Sequence, residues 1–315
     1  MKPGAISTQS PGNIFVTGAT GVIGERAVPE LVRRGFRVTA VGRSAEKRAQ
    51  LESKGARAVA LDMFDAESAR AALRGHDTVI NLATHIPPST FRTLFRREWR
   101  ENDRIRRGGS ATLVNAAIAS GVKRFIQESF APIYEDGGDR WIDESWPVRP
   151  VAYNMSVLDA ERSAKRFTES GGAGVVLRFA AFYGADAIMR DLLGVVRRGW
   201  SPVPGRAGAY WSSISHEDAA AAVVAALTVP AGVYNICDDE PVTRRELANT
   251  LAATIGEKPP RLLPPWLTRL GGSLMELGSR SQRMSNGAFK QASGWTPRLR
   301  SVREGFPEAV RALGA

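Results

Sequence analysis

The feature that most constrains this chain is the run Gly18-Ala19-Thr20-Gly21-Val22-Ile23-Gly24. It follows a short β-branched stretch at 13–17 and opens an amphipathic stretch at 22–34. Glycines at 18, 21 and 24 let the backbone turn tightly, approach a pyrophosphate closely and pack the helix onto the strand. The helix start then offers free N–H groups and a partial positive charge to phosphate oxygens. A glycine turn alone is weak evidence. Between a strand and a helix at the start of a βαβ unit it predicts a dinucleotide site built from Gly18, Thr20, Gly21, Val22 and Ile23.

The rest of the chain repeats that unit. Strand-like runs at 37–41, 58–61, 77–81, 124–127, 174–179 and 233–237 alternate with helical stretches at 45–53, 66–73, 91–120, 156–170 and 217–227. Such alternation means parallel strands joined by crossover helices. The expected fold is an α/β, Rossmann-type doubly wound parallel sheet with a smaller C-terminal substrate-binding cap. Residues 1–12 read as a loose polar tail rather than a signal peptide. Residues 13–184, completed by 212–240, form the dinucleotide-binding domain, and 185–211 with 241–315 form the cap.

Composition narrows the function. The longest uncharged apolar stretch, 219–229, is far short of the ~18–20 residues a membrane span needs, so a cytoplasmic protein without a membrane partner is expected. The single Cys237 cannot form an internal disulfide, and with His76, His85 and His216 it has no metal-ligand spacing. No metal is expected. The formal net charge is +11, and 36 of the 43 basic residues are arginine. Their densest cluster, within 92–107, is interleaved with Glu98, Glu101 and Asp103, the pattern of a solvated, ion-paired helix face rather than a nucleic-acid surface.

The end of the second strand selects the dinucleotide. It reads Val41-Gly42-Arg43-Ser44, with no carboxylate before Glu46 to meet a ribose 2′-hydroxyl, whereas Arg43 can neutralise a 2′-phosphate. NADPH/NADP is therefore expected, with Arg43 and Ser44 at the 2′-phosphate. Asp62 and Met63 are placed for the adenine, and Leu82, Ala83 and Thr84 for the ribose.

These residues, with Asn81-Leu82-Ala83, Leu177-Arg178-Phe179, Phe182-Tyr183-Gly184, Ile214-Ser215-His216-Glu217-Asp218, Tyr234-Asn235-Ile236 and Trp295-x-Pro297 in order, resemble the extended short-chain dehydrogenase/reductases, the epimerase/dehydratase-like group. The resemblance implies a nicotinamide cofactor, with Phe179 beside it, and a substrate cleft under the cap. It also implies a Ser/Thr, Tyr and Lys triad, from which this chain departs. In Tyr153-Asn154-Met155-Ser156-Val157 the lysine position holds Val157. Counting back from Tyr134 puts Phe130 at the Ser/Thr position, with Ser129 one place off. Only Tyr153 is left as a catalytic residue.

Without the lysine, Tyr153 is expected to keep a pKa near the ordinary ~10 and stay protonated. A neutral phenol gives a proton to a forming alkoxide but is a poor base, which favours carbonyl reduction over alcohol oxidation. An aryl ketone with a neighbouring phenol carries its own hydrogen bond and makes up part of the loss. The expected cleft is flat and dry, walled by Ser129, Phe130, Ile133, Phe179, Phe182, Tyr183, Met189, Tyr210 and Trp211. Ala181 stands where sugar-nucleotide members carry Asn, which argues against a nucleotide-sugar substrate. Ketoreductases that tailor aromatic polyketides, such as the angucyclinone type in antibiotic biosynthesis, are the nearest resemblance.

Glu128, His85 and His216 are weaker acid–base candidates. Two other readings stay open: a non-catalytic NADP-binding redox regulator, and an isomerase or dehydratase. The family often dimerises through its fourth and fifth helices. The arginine-rich stretch leads into the fourth here, which leaves the oligomeric state open.

Overall fold

The β-branched runs become strands β1 (Asn13–Thr17), β2 (Arg37–Val41), β3 (Arg57–Val59), β4 (Thr78–Asn81) and β5 (Arg124–Phe130). The short β6 (Trp141–Ile142) precedes β7 (Ala173–Phe179), and β8 (Ala181–Tyr183), β9 (Tyr210–Trp211) and β10 (Ser213–Ser215) precede β11 (Gly232–Ile236). β12 (Val242–Thr243) and β13 (Arg283–Met284) complete the set. The computed structural model describes residues 12–87, 92, 95–262, 276 and 279–314. Most of the expected tail, the start of the helix expected from 91, and residues 263–275 of the expected cap lie outside them.

Seven strands form one parallel sheet in the order β11-β7-β5-β4-β1-β2-β3. Chain order reverses between β1 and β4, so a crevice opens at their C-terminal ends. On one face α1 (Gly24–Arg33) and α8 (His216–Ala225) bury Val28, Leu31 and Val223 against Ile14, Val16 and Ile126. α2 (Ala45–Ser53) leads into β3. On the other face α3 (Ala66–Leu73), α5 (Ser110–Ala119) and α6 (Ser156–Glu169) bury Leu73, Leu113 and Phe167 against Phe15, Val79 and Phe125. A further core joins α7 (Ala187–Arg197), α9 (Arg244–Thr254) and the C-terminal helix Val302–Leu313 through Met189, Leu193, Leu251 and Phe306.

Boundaries shift where tertiary pairing overrides local pattern. α1 starts at Gly24, because the turn holds residues 22 and 23 out of the helix. β5 runs on to Phe130, which pairs with Phe179 of β7. The stretch expected as one or two helices changes pitch twice. A 3₁₀ turn (Arg96–Trp99) leads into α4 (Arg100–Arg104), then a π turn (Ile105–Gly109), then α5.

The family-like motifs on β7, β11 and α8 are structural. Arg178 pairs with Glu161 at 2.7 Å and donates to the Tyr134 hydroxyl at 2.9 Å, which donates to Asn235 Oδ1 at 2.7 Å. Asp218 accepts from the N–H groups of Arg298 at 2.7 Å and Leu299 at 3.2 Å, tying the C-terminal segment to α8. Among the described residues, no helix is long and apolar enough to cross a membrane, and no three His, Cys, Asp or Glu side chains could hold a metal.

Candidate active site

Gly18 has φ of +67°, and a Cβ there would lie 2.3 Å from the carbonyl carbon and oxygen of Leu82. The glycine turn is thus pressed against the chain leaving β4. Gly24 meets the Gly18 carbonyl in the same way, its Cβ position 2.3 Å from that oxygen. Below them Thr17 Oγ1 donates to Asn81 Oδ1 at 2.6 Å, and Asn81 Nδ2 donates to Gln127 Oε1 at 2.9 Å. This buried network spans β1, β4 and β5. The crevice floor is backbone, Gly21 and Val22 are exposed at its rim and Arg43 is exposed at the end of β2. The pyrophosphate of a nicotinamide dinucleotide fits this arrangement.

Several expected cofactor contacts are narrowed. Ile23 is 7% exposed in the core, so only its backbone is available. Ser44 Oγ caps α2 by accepting from Lys47 N–H at 3.2 Å. Asp62 Oδ1 accepts from Phe64 N–H at 2.9 Å, and Met63 packs on Gly109, where a Cβ would lie 2.4 Å from its Cε. Leu82 is buried, while Thr20, Ala83 and Thr84 are half-buried. Phe179 is sealed in the core and presents no side-chain surface to a cofactor.

Tyr153 lies in the turn before α6, only 5% exposed, with its ring centroid 4.7 Å from that of Trp99 and with Val151 and Phe130 beside it. Val157, where the resemblance leads one to expect lysine, is fully buried in α6. Lys165 is at the surface, beside Glu169. The phenol does not keep an ordinary pKa: burial raises it well above that value, and the charges of Arg106 and Arg280 oppose the rise only in part.

Sequence reasoning named Glu128 as an acid–base candidate but missed its pairing with Arg106. Arg106 sits in the π turn, where irregular pitch often marks function. Its Nη2 lies 2.9 Å from Glu128 Oε1, and both side chains are nearly sealed. Among the described residues Arg106 Nε and Glu128 Oε2 have no hydrogen-bond partner, nor do Asn102 Nδ2, Asn154 Nδ2 and Ser156 Oγ on the neighbouring segments. The signal was the spacing Trp99, Asn102, Arg106, Ser110, a helix face hidden inside a charge cluster. Elsewhere that cluster is ion-paired at the surface, as in Arg107 with Asp159 at 3.0 Å.

The expected substrate wall divides. Ser129 does not point a free hydroxyl at a substrate, because its Oγ donates to Glu161 Oε1 at 2.6 Å. Ile133, Phe179 and Met189 are core residues, sealed by packing and unavailable as wall, while Tyr183 is buried edge-on against Phe306. Phe130, Phe182, Tyr210 and Trp211 keep exposed surface. Phe130 lies beside Tyr153, whereas Tyr210 and Trp211 lie on β9, under Arg283 and Arg244. A groove of about 450 Å³ between α6 and strands β7 and β11 is lined by none of these residues.

His85 is exposed, and its N–H donates to Asn102 Oδ1 at 2.9 Å. His216 is 1% exposed, with Nε2 3.5 Å from Asp186 Oδ2. Burial, the dominant cause, holds its imidazole below the ordinary value. A depressed folded value means the unfolded chain takes up the proton first as pH falls. Stability is then complete above ~6.5 and declines below it. Urea midpoints measured across that range are expected to fall less steeply for His216→Gln than for the parent.

A family model described as NAD(P)H-binding matches residues 18–230. The chain is 30% identical, over 93% of its length and 98% of the relative's, to a 3-diazoavenalumate denitrifying reductase of a Streptomyces species. It is 29% identical, over 78% of its length and 73% of the relative's, to a 4-hydroxy-2-methyl-3-oxo-4-farnesyl-3,4-dihydroquinoline-1-oxide ketoreductase of Stigmatella aurantiaca. In fold it is similar to the UDP-glucose 4-epimerase of Thermus thermophilus in complex with NAD, with a TM-score of 0.74 and 23% identity over 96% of this chain and 99% of the other.

Proposed function

Because the chain belongs to the NAD(P)H-binding, extended short-chain dehydrogenase/reductase family, we propose that it is an NADPH-dependent ketoreductase acting on a bulky aromatic carbonyl compound. Reductase-type chemistry follows from the family; the cofactor preference, the carbonyl and the aromatic substrate are our reading. The carrying observation is a buried Tyr153, 5% exposed, with Val157 four residues on where the family resemblance expects lysine, a group able to give a proton but not to take one. A bound nicotinamide cofactor supplies the hydride.

The glycine turn and Leu82–Thr84 segment hold the pyrophosphate and ribose, and exposed Arg43 favours the 2′-phosphate. Phe130 and Trp99 exclude water beside Tyr153. The Tyr153 hydroxyl donates its proton to the oxygen that becomes the alcohol, or a substrate phenol does so. We take the described parts of 185–211 and 241–314 as the cap over this end of the sheet, and we place the enzyme in the cytoplasm.

The similarity to the denitrifying reductase favours a second reading, reduction of an aryl diazonium group. There hydride forms a C–H bond as the C–N bond breaks and N₂ leaves. No proton donor is needed, which suits a site lacking the lysine.

The test is NADPH consumption, with NADH beside it, against ortho- and peri-hydroxyaryl ketones, their methyl ethers and an aryl diazonium salt. Tyr153→Phe is expected to lower ketone turnover about 10²-fold or more. Loss on methylating the phenol, with Tyr153→Phe unaffected, would assign the proton to the substrate. Diazonium reduction alone, indifferent to Tyr153→Phe, would select the second reading. Cofactor binding without any turnover would replace both with a regulator.

A further inference from the structure

Arg244 is 1% exposed at the start of α9, yet it forms no ion pair among the described residues. Its Nη2 donates to the Arg280 carbonyl at 2.6 Å, while Nε and Nη1 are buried without a hydrogen-bond partner among the described residues. Its Cζ lies 4.8 Å from the ring centre of Trp211. Asp136, the acidic group acting on it, is held by Arg206 at 3.0 Å. Desolvation pulls the guanidinium down to about 10. A buried cation left uncompensated is costly, and chains retain one when something else supplies the anion.

The surroundings indicate the shape of that anion's carrier. Arg283 lies over both Trp141, at 4.2 Å, and Tyr210, at 4.7 Å, with its own Nε buried and unpartnered. Arg280 links this corner to the reacting end. Its Nη1 donates to the carbonyls of Tyr134 at 3.0 Å and Arg149 at 2.6 Å, and its charge reaches the Tyr153 phenol. Half-buried Tyr210 and Trp211 are the accessible approach.

We propose that Arg244, stacked on Trp211 and neighboured by Arg280 and Arg283, docks the carboxylate of a planar aromatic substrate whose other end reaches Tyr153. This deepens the reductase reading and rests on it for the group that reacts. Arg244 Nε and Nη1 are the free donors for a carboxylate, and Trp211 and Tyr210 supply flat surface for the ring.

Binding, not turnover, tests it. Tryptophan fluorescence and thermal shift are measured on the full chain with NADP⁺, using 4-hydroxybenzoate, 4-hydroxycinnamate and 6-hydroxy-2-naphthoate, their methyl esters, and UDP. At least one acid is expected to bind about tenfold tighter than its ester, as for a hydrogen bond to a charged group. In Arg244→Met that preference is expected to vanish while the free protein melts no lower, because an uncompensated charge has been removed; Arg244→Lys is expected to keep part of it.

Equal binding of acids and esters by the parent would overturn the proposal, and that comparison needs no variant. So would a preference that survives Arg244→Met, or a larger stabilisation by UDP than by any acid. Acid-selective binding without reduction of any carbonyl would leave this subsite standing and remove the ketoreductase reading. Reduction of neutral ketones without acid preference would do the reverse.

Discussion

Arg106→Met is expected to destabilise the protein by about 3–5 kcal/mol, because it leaves Glu128 charged, buried and unpaired. Glu128 is 8% exposed, and one of its oxygens already lacks a partner. The effect should lie in the loss of one partner, not in the pair itself. Arg106→Met with Glu128→Leu is therefore expected to regain most of the lost stability, since an apolar pair of similar volume often matches a buried ion pair. Urea denaturation of the parent, both single variants and the double variant closes the cycle. Additive losses would show that the two side chains do not act on each other. The double variant also removes a positive charge that reaches Tyr153, so regained stability is not expected to bring regained turnover.

The other large effect is Gly18→Ala. The residue has φ of +67°, and its new methyl group would lie 2.3 Å from the Leu82 carbonyl. The conformation alone costs roughly 1–2 kcal/mol for a residue with a Cβ. The overlap is with the backbone of the segment leaving β4, so no side chain can turn aside. NADPH affinity, followed by fluorescence titration, is expected to fall more than a hundredfold as the turn and the chain leaving β4 are forced apart. Gly35→Ala is the control, with φ of +87° and nothing within 4 Å of the added atom. It carries the conformational cost alone and should leave affinity unchanged. Equal losses of affinity would mean that the contact with Leu82 does not shape the cofactor crevice.

Much of the fold was legible because its determinants are local. β1, β2, α2 and α3 stand where period and capping residues put them, with Ser44 and Asp65 accepting from the first-turn N–H groups. The short pairs β6 with β13 and β9 with β12 were not legible, since each joins two-residue segments far apart in the chain. The candidate wall shows the same division. Apolar type marked Met189 and Phe182 alike, but only the packing of α7 against the C-terminal helix buries the first and leaves the second exposed.

By itself the sequence determined the glycine turn and the parallel α/β order. These depend on φ, spacing and residue type within a few positions, and the chain carries them before it folds. The tertiary structure alone decided that Tyr153 is buried against Trp99, that Arg106 meets Glu128 across 22 positions of chain, and that Arg244 is buried without an ion-pair partner among the described residues. Burial and charge pairing are properties of the three-dimensional neighbourhood. The cost of a buried charge is set by which distant residues the sheet and helices bring beside it.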